Sequence, residues 1–172
     1  MRARIMAFIL LGALGMAGSA AAQANRASIL VKGGVNVERS EDAVKGESPA
    51  FGVDLLVPLD DRWTFDVEFW MPAYFTFGRE NRHRDILMAV GILRFFGEGR
   101  SRGFASFGLG VATTQEQRPF FGNTSNTGGY GFVGAGVEVR ITDRLSVMPE
   151  IRSTLAVTAL IIRPSIGIAC RF

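Results

Sequence analysis

From Ser28 to Phe172 the chain alternates between apolar residues and small or polar ones. In the first stretch Ile29, Val31, Gly33, Val35 and Val37 share one parity, and Ser28, Lys32 and Asn36 the other. Phe51, Val53, Leu55, Val57 and Leu59 then alternate with Gly52, Asp54 and Leu56. Trp63, Phe65, Val67, Phe69 and Met71 oppose Thr64, Asp66, Glu68 and Trp70. Such alternation predicts strands with two chemically different faces. Four later stretches repeat it, around 105–112, 133–141, 145–152 and 162–172. A stretch at 85–96 is apolar on both parities, so its facing stays open by one residue, a slip that would exchange its two faces. Eight strands are predicted.

Charge separates the two faces. In the seven strands of clear phase the apolar parity carries no charge. The other parity carries Lys32, Asp54, Asp66, Glu68, Glu138, Arg140, Glu150, Arg152, Arg163 and Arg171, five acids and five bases. A soluble lipocalin-like barrel turns its apolar face inward; a transmembrane barrel turns it to lipid and keeps a polar interior. Three features favour the membrane. Aromatic or thick side chains (Trp63, Phe69, Met71, Phe172) end the apolar faces, as interfacial girdles do. The polar parity is rich in Gly and Ala, including Gly34, Gly52, Gly108, Gly110, Gly134, Gly136, Gly167 and Ala169, which a narrow lumen needs. Long connections at 38–49, 72–84 and 113–129 alternate with short ones at 60–62, 97–103 and 142–144, the outside-loop and periplasmic-turn asymmetry of outer-membrane barrels. The short 154–159 connection is the exception.

The N-terminus adds a compartment. Arg2 and Arg4 precede an apolar run from Ile5 to about Gly18, and small residues follow to Ala24, the build of a secretory signal peptide cleaved after Ala22 or Ala24. The expected organisation is a leader over 1–24 and one domain over 25–172, with no room for another in 172 residues. The chain has 19 basic and 16 acidic residues and a pI of 9.6, but without the leader arginines the counts become 17 and 16. That near-neutrality removes the case for a nucleic-acid partner. An apolar fraction of 48% with 20% charged residues excludes disorder, and a single cysteine excludes a disulfide scaffold.

The C-terminal Ser165-x-Gly167-x-x-Cys170-x-Phe172 resembles the terminal signal of bacterial outer-membrane proteins. With Gly108-Leu-Gly110-Val and Pro149-Glu-Ile-Arg152, residues 27–172 look like the small outer-membrane β-barrel superfamily of OmpA-, OmpX- and OmpW-type proteins. The resemblance implies an all-β, eight-stranded antiparallel up-and-down barrel, both termini periplasmic, its terminal signal read by the barrel-assembly machinery. Cys170 departs from the larger apolar residue usual there, and Pro164 predicts a local bulge.

The chemistry expected is sparse. Balanced inward charges fit mutual pairing that plugs the lumen better than a conduction path, since buried charges are tolerable only when paired. Removal of Glu138 or Arg140 is then expected to destabilise the barrel. The sole histidine, His83, falls in an expected surface loop, and no His-x-Ser pattern of barrel deacylases occurs. Neither catalysis, nor a metal, nor a cofactor is expected. Arg79, Arg82 and Arg84 follow the aromatic-rich Tyr74–Phe77 and could grip lipopolysaccharide phosphates, or simply be solvated. Cys170 reads as a small hydrophobe. The function expected is a monomeric, non-enzymatic envelope protein in contact with outer-membrane lipid, lipopolysaccharide or external partners. A narrow channel, a lipid A-modifying enzyme and a soluble lipocalin-like binder are the alternatives. The expressed protein should sediment with outer membranes and run faster in detergent gels before boiling than after; release as soluble periplasmic material would refute the membrane reading.

Overall fold

The computed structural model describes residues 27–40, 43–72, 82–118, 122–156 and 159–172. The proposed leader and Arg79 lie outside them. Eight strands run in chain order: β1 Ser28–Ser40, β2 Ala43–Pro58, β3 Trp63–Pro72, β4 Arg82–Phe96, β5 Ser101–Arg118, β6 Gly122–Arg140, β7 Leu145–Ala156 and β8 Ala159–Arg171. Each pairs antiparallel with its sequence neighbours, and β1 pairs with β8 to close the barrel. Closure leaves no unpaired edge around the wall, the condition for crossing lipid with strands.

Pairing registers fix the width. The ladder from Ile29 runs through Leu55, Val67, Val90, Leu109, Gly131, Leu155 and Leu160 and returns to β1 at Arg39, ten residues along. Eight strands with that shear tilt by about 40–45° and enclose a lumen just wide enough for side chains. The outward face is apolar: Val31, Phe51, Phe107, Leu109, Ile151 and Ile166 are among its exposed side chains. The open facing of the fourth strand is settled, with Leu87, Ala89, Leu93 and Phe95 buried inside and Val90 and Phe96 exposed.

Inside, side chains form layers. Leu30, Leu56, Leu93, Phe95, Phe104, Met148 and Ala169 pack together toward the short-turn end. Ala50, Trp70, Leu87, Ala89, Tyr130 and Phe132 pack together toward the other. Glycines make the second layer possible. Gly52 faces Trp70 across the β2–β3 ladder, Gly108 faces Phe132 and Gly110 faces Tyr130 across β5–β6. In the first layer Phe104 likewise faces Gly136. A Cβ on Gly110 would stand 2.5 Å from the Tyr130 ring, and one on Gly108 2.6 Å from Phe132. Each ring occupies the space that a side chain on the facing glycine would take.

Turn chemistry is local. Asp60 Oδ1 accepts the Arg62 and Trp63 N–H groups, both at 2.7 Å, and Thr142 Oγ1 accepts those of Arg144 and Leu145. Gly97 and Gly99 adopt φ of 85° and 91° between β4 and β5.

Three expectations are corrected. Much of the predicted long connections at 38–49, 72–84 and 113–129 is strand: β1 reaches Ser40, β2 starts at Ala43, β4 at Arg82, and β5 and β6 extend to Arg118 and from Gly122. His83, expected in a loop, pairs with Glu116 on the β4–β5 ladder. Backbone ladder bonding continues where the side chains stop alternating, so hydrophobic periodicity loses the strand before the hydrogen bonds do. Pro164 produces no bulge. The β1–β8 register is the same on both sides of it, with an interruption in pairing between Ser165 and Ile162. The register shift occurs instead at Glu38/Arg39.

The ring-on-glycine packing predicts that Gly110→Ala lowers unfolding stability by about 1–3 kcal/mol through overpacking. Gly103→Ala, where a Cβ meets nothing within 4 Å, should be near neutral. Urea titration of the refolded barrel in lipid vesicles measures both; equal stabilities would contradict this packing.

Candidate functional site

Between the two apolar layers lies a belt of charge. It is built from β1 (Lys32), β2 (Asp54), β3 (Asp66, Glu68), β7 (Glu150, Arg152) and β8 (Arg163), all buried. Alternation turns each inward, and the stagger of tilted strands brings residues far apart in sequence to one level. Glu68 is the hub: Lys32 Nζ donates to it at 2.6 Å, Arg152 Nη1 at 2.7 Å and Arg163 Nη1 at 2.9 Å. Lys32 also donates to Asp54 at 2.6 Å. Arg152 continues to Asp66 at 3.2 Å and, through Nε, to Glu150 at 2.9 Å, and Glu150 accepts the Ser106 hydroxyl.

Aromatic faces complete the cations' surroundings. Arg152 lies 4.4 Å from the Phe132 ring centre, and Lys32 and Arg163 each lie 5.4 Å from Trp70. The Trp70 indole N–H donates to Asn36 at 3.0 Å. Lys32, Glu68, Trp70, Glu150, Arg152, Arg163 and Ser165 enclose no space that would hold a water molecule. Chemically, this arrangement is a network of mutually paired charges, as the plug reading expects. Every charged side chain in the belt has an opposite charge within ion-pair distance.

A second, smaller cluster closes the short-turn end. Glu138 on β6 accepts from Arg102 Nη2 at 2.6 Å and Nε at 3.0 Å, from the Ser146 hydroxyl at 3.0 Å, and from Arg171. Arg102 also covers the Phe95 ring at 4.2 Å. The ten sequence-selected charges therefore divide: seven form the belt, and Glu138 and Arg171 belong to this second cluster. Arg140 sits at its rim, with a side chain 35% exposed and Nε 3.6 Å from Glu138. Its removal should matter much less than that of Glu138, a change from the sequence expectation.

Arg102 is the residue that alternation missed. It precedes the first clear apolar position of its strand and reads as part of the 97–103 turn, whereas β5 already begins at Ser101. Arg82 and Arg84 lie on β4, opposite Gln117 and Gln115; their side chains and that of His83 lie outside what the structure describes, as does Arg79 altogether. Of the terminal signal, Gly167 is buried, Ser165 half-buried, and Cys170 and Phe172 exposed on the outward parity. Among the described residues no group of three or more His, Cys, Asp or Glu is placed to hold a metal ion.

No protein-family model matches the sequence, and no curated protein does. Solved structures do. Neisserial surface protein A superposes with a TM-score of 0.74 at 9% identity, covering 85% of this chain and 97% of that one. The chain has the fold of the small outer-membrane β-barrels. The attachment invasion locus protein Ail of Yersinia pestis matches with a TM-score of 0.67 at 12% identity, over 87% of this chain and 100% of that one. The N-terminal β-barrel domain of Pseudomonas aeruginosa OprF gives 0.62 at 12% identity, over 86% and 99%. At these identities the shared property is the barrel, not the contents of its lumen.

Lys32→Met tests the belt. It leaves Asp54 without a salt-bridging neighbour and removes one of the three cations on Glu68. Breaking a buried network from one side costs about 3–5 kcal/mol. Unfolding midpoints should fall accordingly, and acidification, which protonates the stranded carboxylates, should restore part of the loss. A variant as stable as the parent at neutral pH would contradict the plug.

Proposed function

We propose that this chain is a non-enzymatic integral protein of the bacterial outer membrane: a closed barrel that anchors a projecting β-hairpin for contact with lipopolysaccharide or an external partner. The plugged lumen carries this reading. A belt of paired charges packed between two apolar layers, with no space among its side chains that would hold a water molecule, speaks against the channel alternative. The outward apolar coat supports residence in lipid rather than in solution. The terminal Ser165, Gly167, Cys170 and Phe172 serve as the signal for the barrel-assembly machinery, and both termini lie on the periplasmic side with the short turns.

The opposite end supports contact outside. β6 pairs with β7 only from Tyr130 onward, while β5 and β6 stay paired to Arg118 and Gly122. The hairpin thus rises past the β7–β8 rim, with Ser125–Gly129 exposed. On the β7 side, Gly122–Gly129 has no ladder partner among the described residues. Its polar sequence, Gly-Asn-Thr-Ser-Asn-Thr-Gly-Gly, has no charge or proline to discourage an added strand. Arg82 and Arg84 stand at the β4 end paired with Gln117 and Gln115, and with Arg79 of the sequence they are the residues expected to meet lipopolysaccharide phosphates. Ail, a barrel of this fold, has been solved with the heparin analogue sucrose octasulfate, a polyanion.

Reconstitution into planar bilayers should give no conductance above background. On intact cells, a cysteine placed at Ser125 in a Cys170→Ser background should react with a membrane-impermeant maleimide, whereas one at Glu98 should not. Sustained channel openings would overturn the closed anchor, and labelling at Glu98 alone would overturn the orientation.

A further inference from the structure

One charge breaks the alternation among the strand side chains that the structure describes. Among the strand residues whose side chains the structure describes, Arg94 on β4 is the charged one that points outward, on the same parity as Val90 and Ile92. It is also exposed. A cation facing lipid is costly at mid-membrane and nearly free at the interface. Arg94 sits at the interface: it pairs with Trp63, the first residue of β3, and lies two residues from the end of β4. Its guanidinium carbon is 5.2 Å from the ring centre of Trp63 and 5.2 Å from that of Phe96.

Two aromatic faces thus hold the guanidinium in place. No hydrogen bond or ion pair joins Arg94 to another described residue, so its donors remain free to engage a ligand. Beside it opens a cavity of about 240 Å³ between the β2–β3 and β4–β5 turns, lined in part by Asp61, Arg62, Arg94, Phe96 and Glu98. Two cations and two carboxylates around one recess match neither a simple anion nor a simple cation. They match a zwitterion of similar size, with apolar groups on its membrane side.

We propose that this recess binds the headgroup of a phosphatidylethanolamine molecule from the adjoining leaflet. Arg94 and Arg62 take the phosphate, through the planar donor fork that suits Arg to phosphate. Asp61 and Glu98 take the primary ammonium. Trp63 and Phe96 lie against the glycerol and the first acyl carbons, where amphipathic rings favour the interface. The assignment rests on the proposed orientation, which puts the short-turn end at the phospholipid leaflet; the binding test below is made in detergent and does not depend on it.

The refolded barrel in a mild detergent would be titrated with phosphatidylethanolamine, phosphatidylglycerol or phosphatidylcholine of one acyl composition, and bound lipid counted by native mass spectrometry. Phosphatidylethanolamine should be retained in preference to both others. Arg94→Gln should weaken that retention by about tenfold, as expected for loss of charge-assisted hydrogen bonds. Asp61→Asn combined with Glu98→Gln should move the preference to phosphatidylglycerol. Unchanged heat-modifiable mobility shows that each variant is folded. Equal retention of the three lipids by the parent, undiminished retention by Arg94→Gln, or an unmoved preference in the carboxylate variant would each overturn the proposal. A failure of the maleimide labelling pattern with the lipid preference intact would overturn the orientation and leave the site standing.

Discussion

The structure depends on the width of its lumen. Eight strands with a shear of ten leave room for one layer of side chains at a time, so whatever points inward must fill space and satisfy itself. Water cannot solvate a charge there as it would in a wide pore, and an unpaired ion would cost several kcal/mol. Lys32, Arg152 and Arg163 are therefore held on Glu68, with Asp54, Asp66 and Glu150 around them. The apolar layers on either side follow from the same constraint. They keep water from the belt and keep its dielectric low, which strengthens each pair that is made and penalises each that is not.

Rings and glycines are the second consequence. A narrow tube can hold Trp70, Phe132, Tyr130 and Phe104 only if the residue opposite each has no side chain. Those aromatics in turn give Arg152, Arg163 and Lys32 the faces they rest on. Glycine, aromatic, cation and carboxylate thus form a single chain of dependence. A methyl group added at Gly52 would displace Trp70 and, through it, two cations of the belt.

How much of this is legible in the sequence follows from how local each signal is. Alternation assigns faces residue by residue, so Lys32, Glu68 and Arg152 fall on the charged face without knowledge of any strand partner, and the girdle, glycine and connection-length signals turn that face inward. Their partners cannot be read this way. Glu68 and Arg152 are 84 residues apart in sequence, and only the sum of eight registers brings them to one level. Arg102 and the polar extensions of β4, β5 and β6 were hidden for the opposite reason: the ladder continues there, but the apolar face that marks it does not. The fourth strand was ambiguous because both its faces are apolar. One looks to lipid, and the other, with Leu93 and Phe95, fills an apolar layer of the lumen.

The two ends of the barrel are under different constraints, and the proposed function rests on that difference. Within the barrel wall the described inward positions hold the charge belt and the two apolar layers, and the described outward positions are mostly apolar, so substitutions there answer first to stability. Beyond the β7–β8 rim neither demand applies: the β5–β6 hairpin needs only its own ladder, and its side chains are free to serve contact. At the short-turn end the proposed orientation would set side chains against headgroups rather than acyl chains. Arg94 shows the change of regime. A charge on the outward parity, costly at mid-membrane, stands here at the end of β4 between the Trp63 and Phe96 rings.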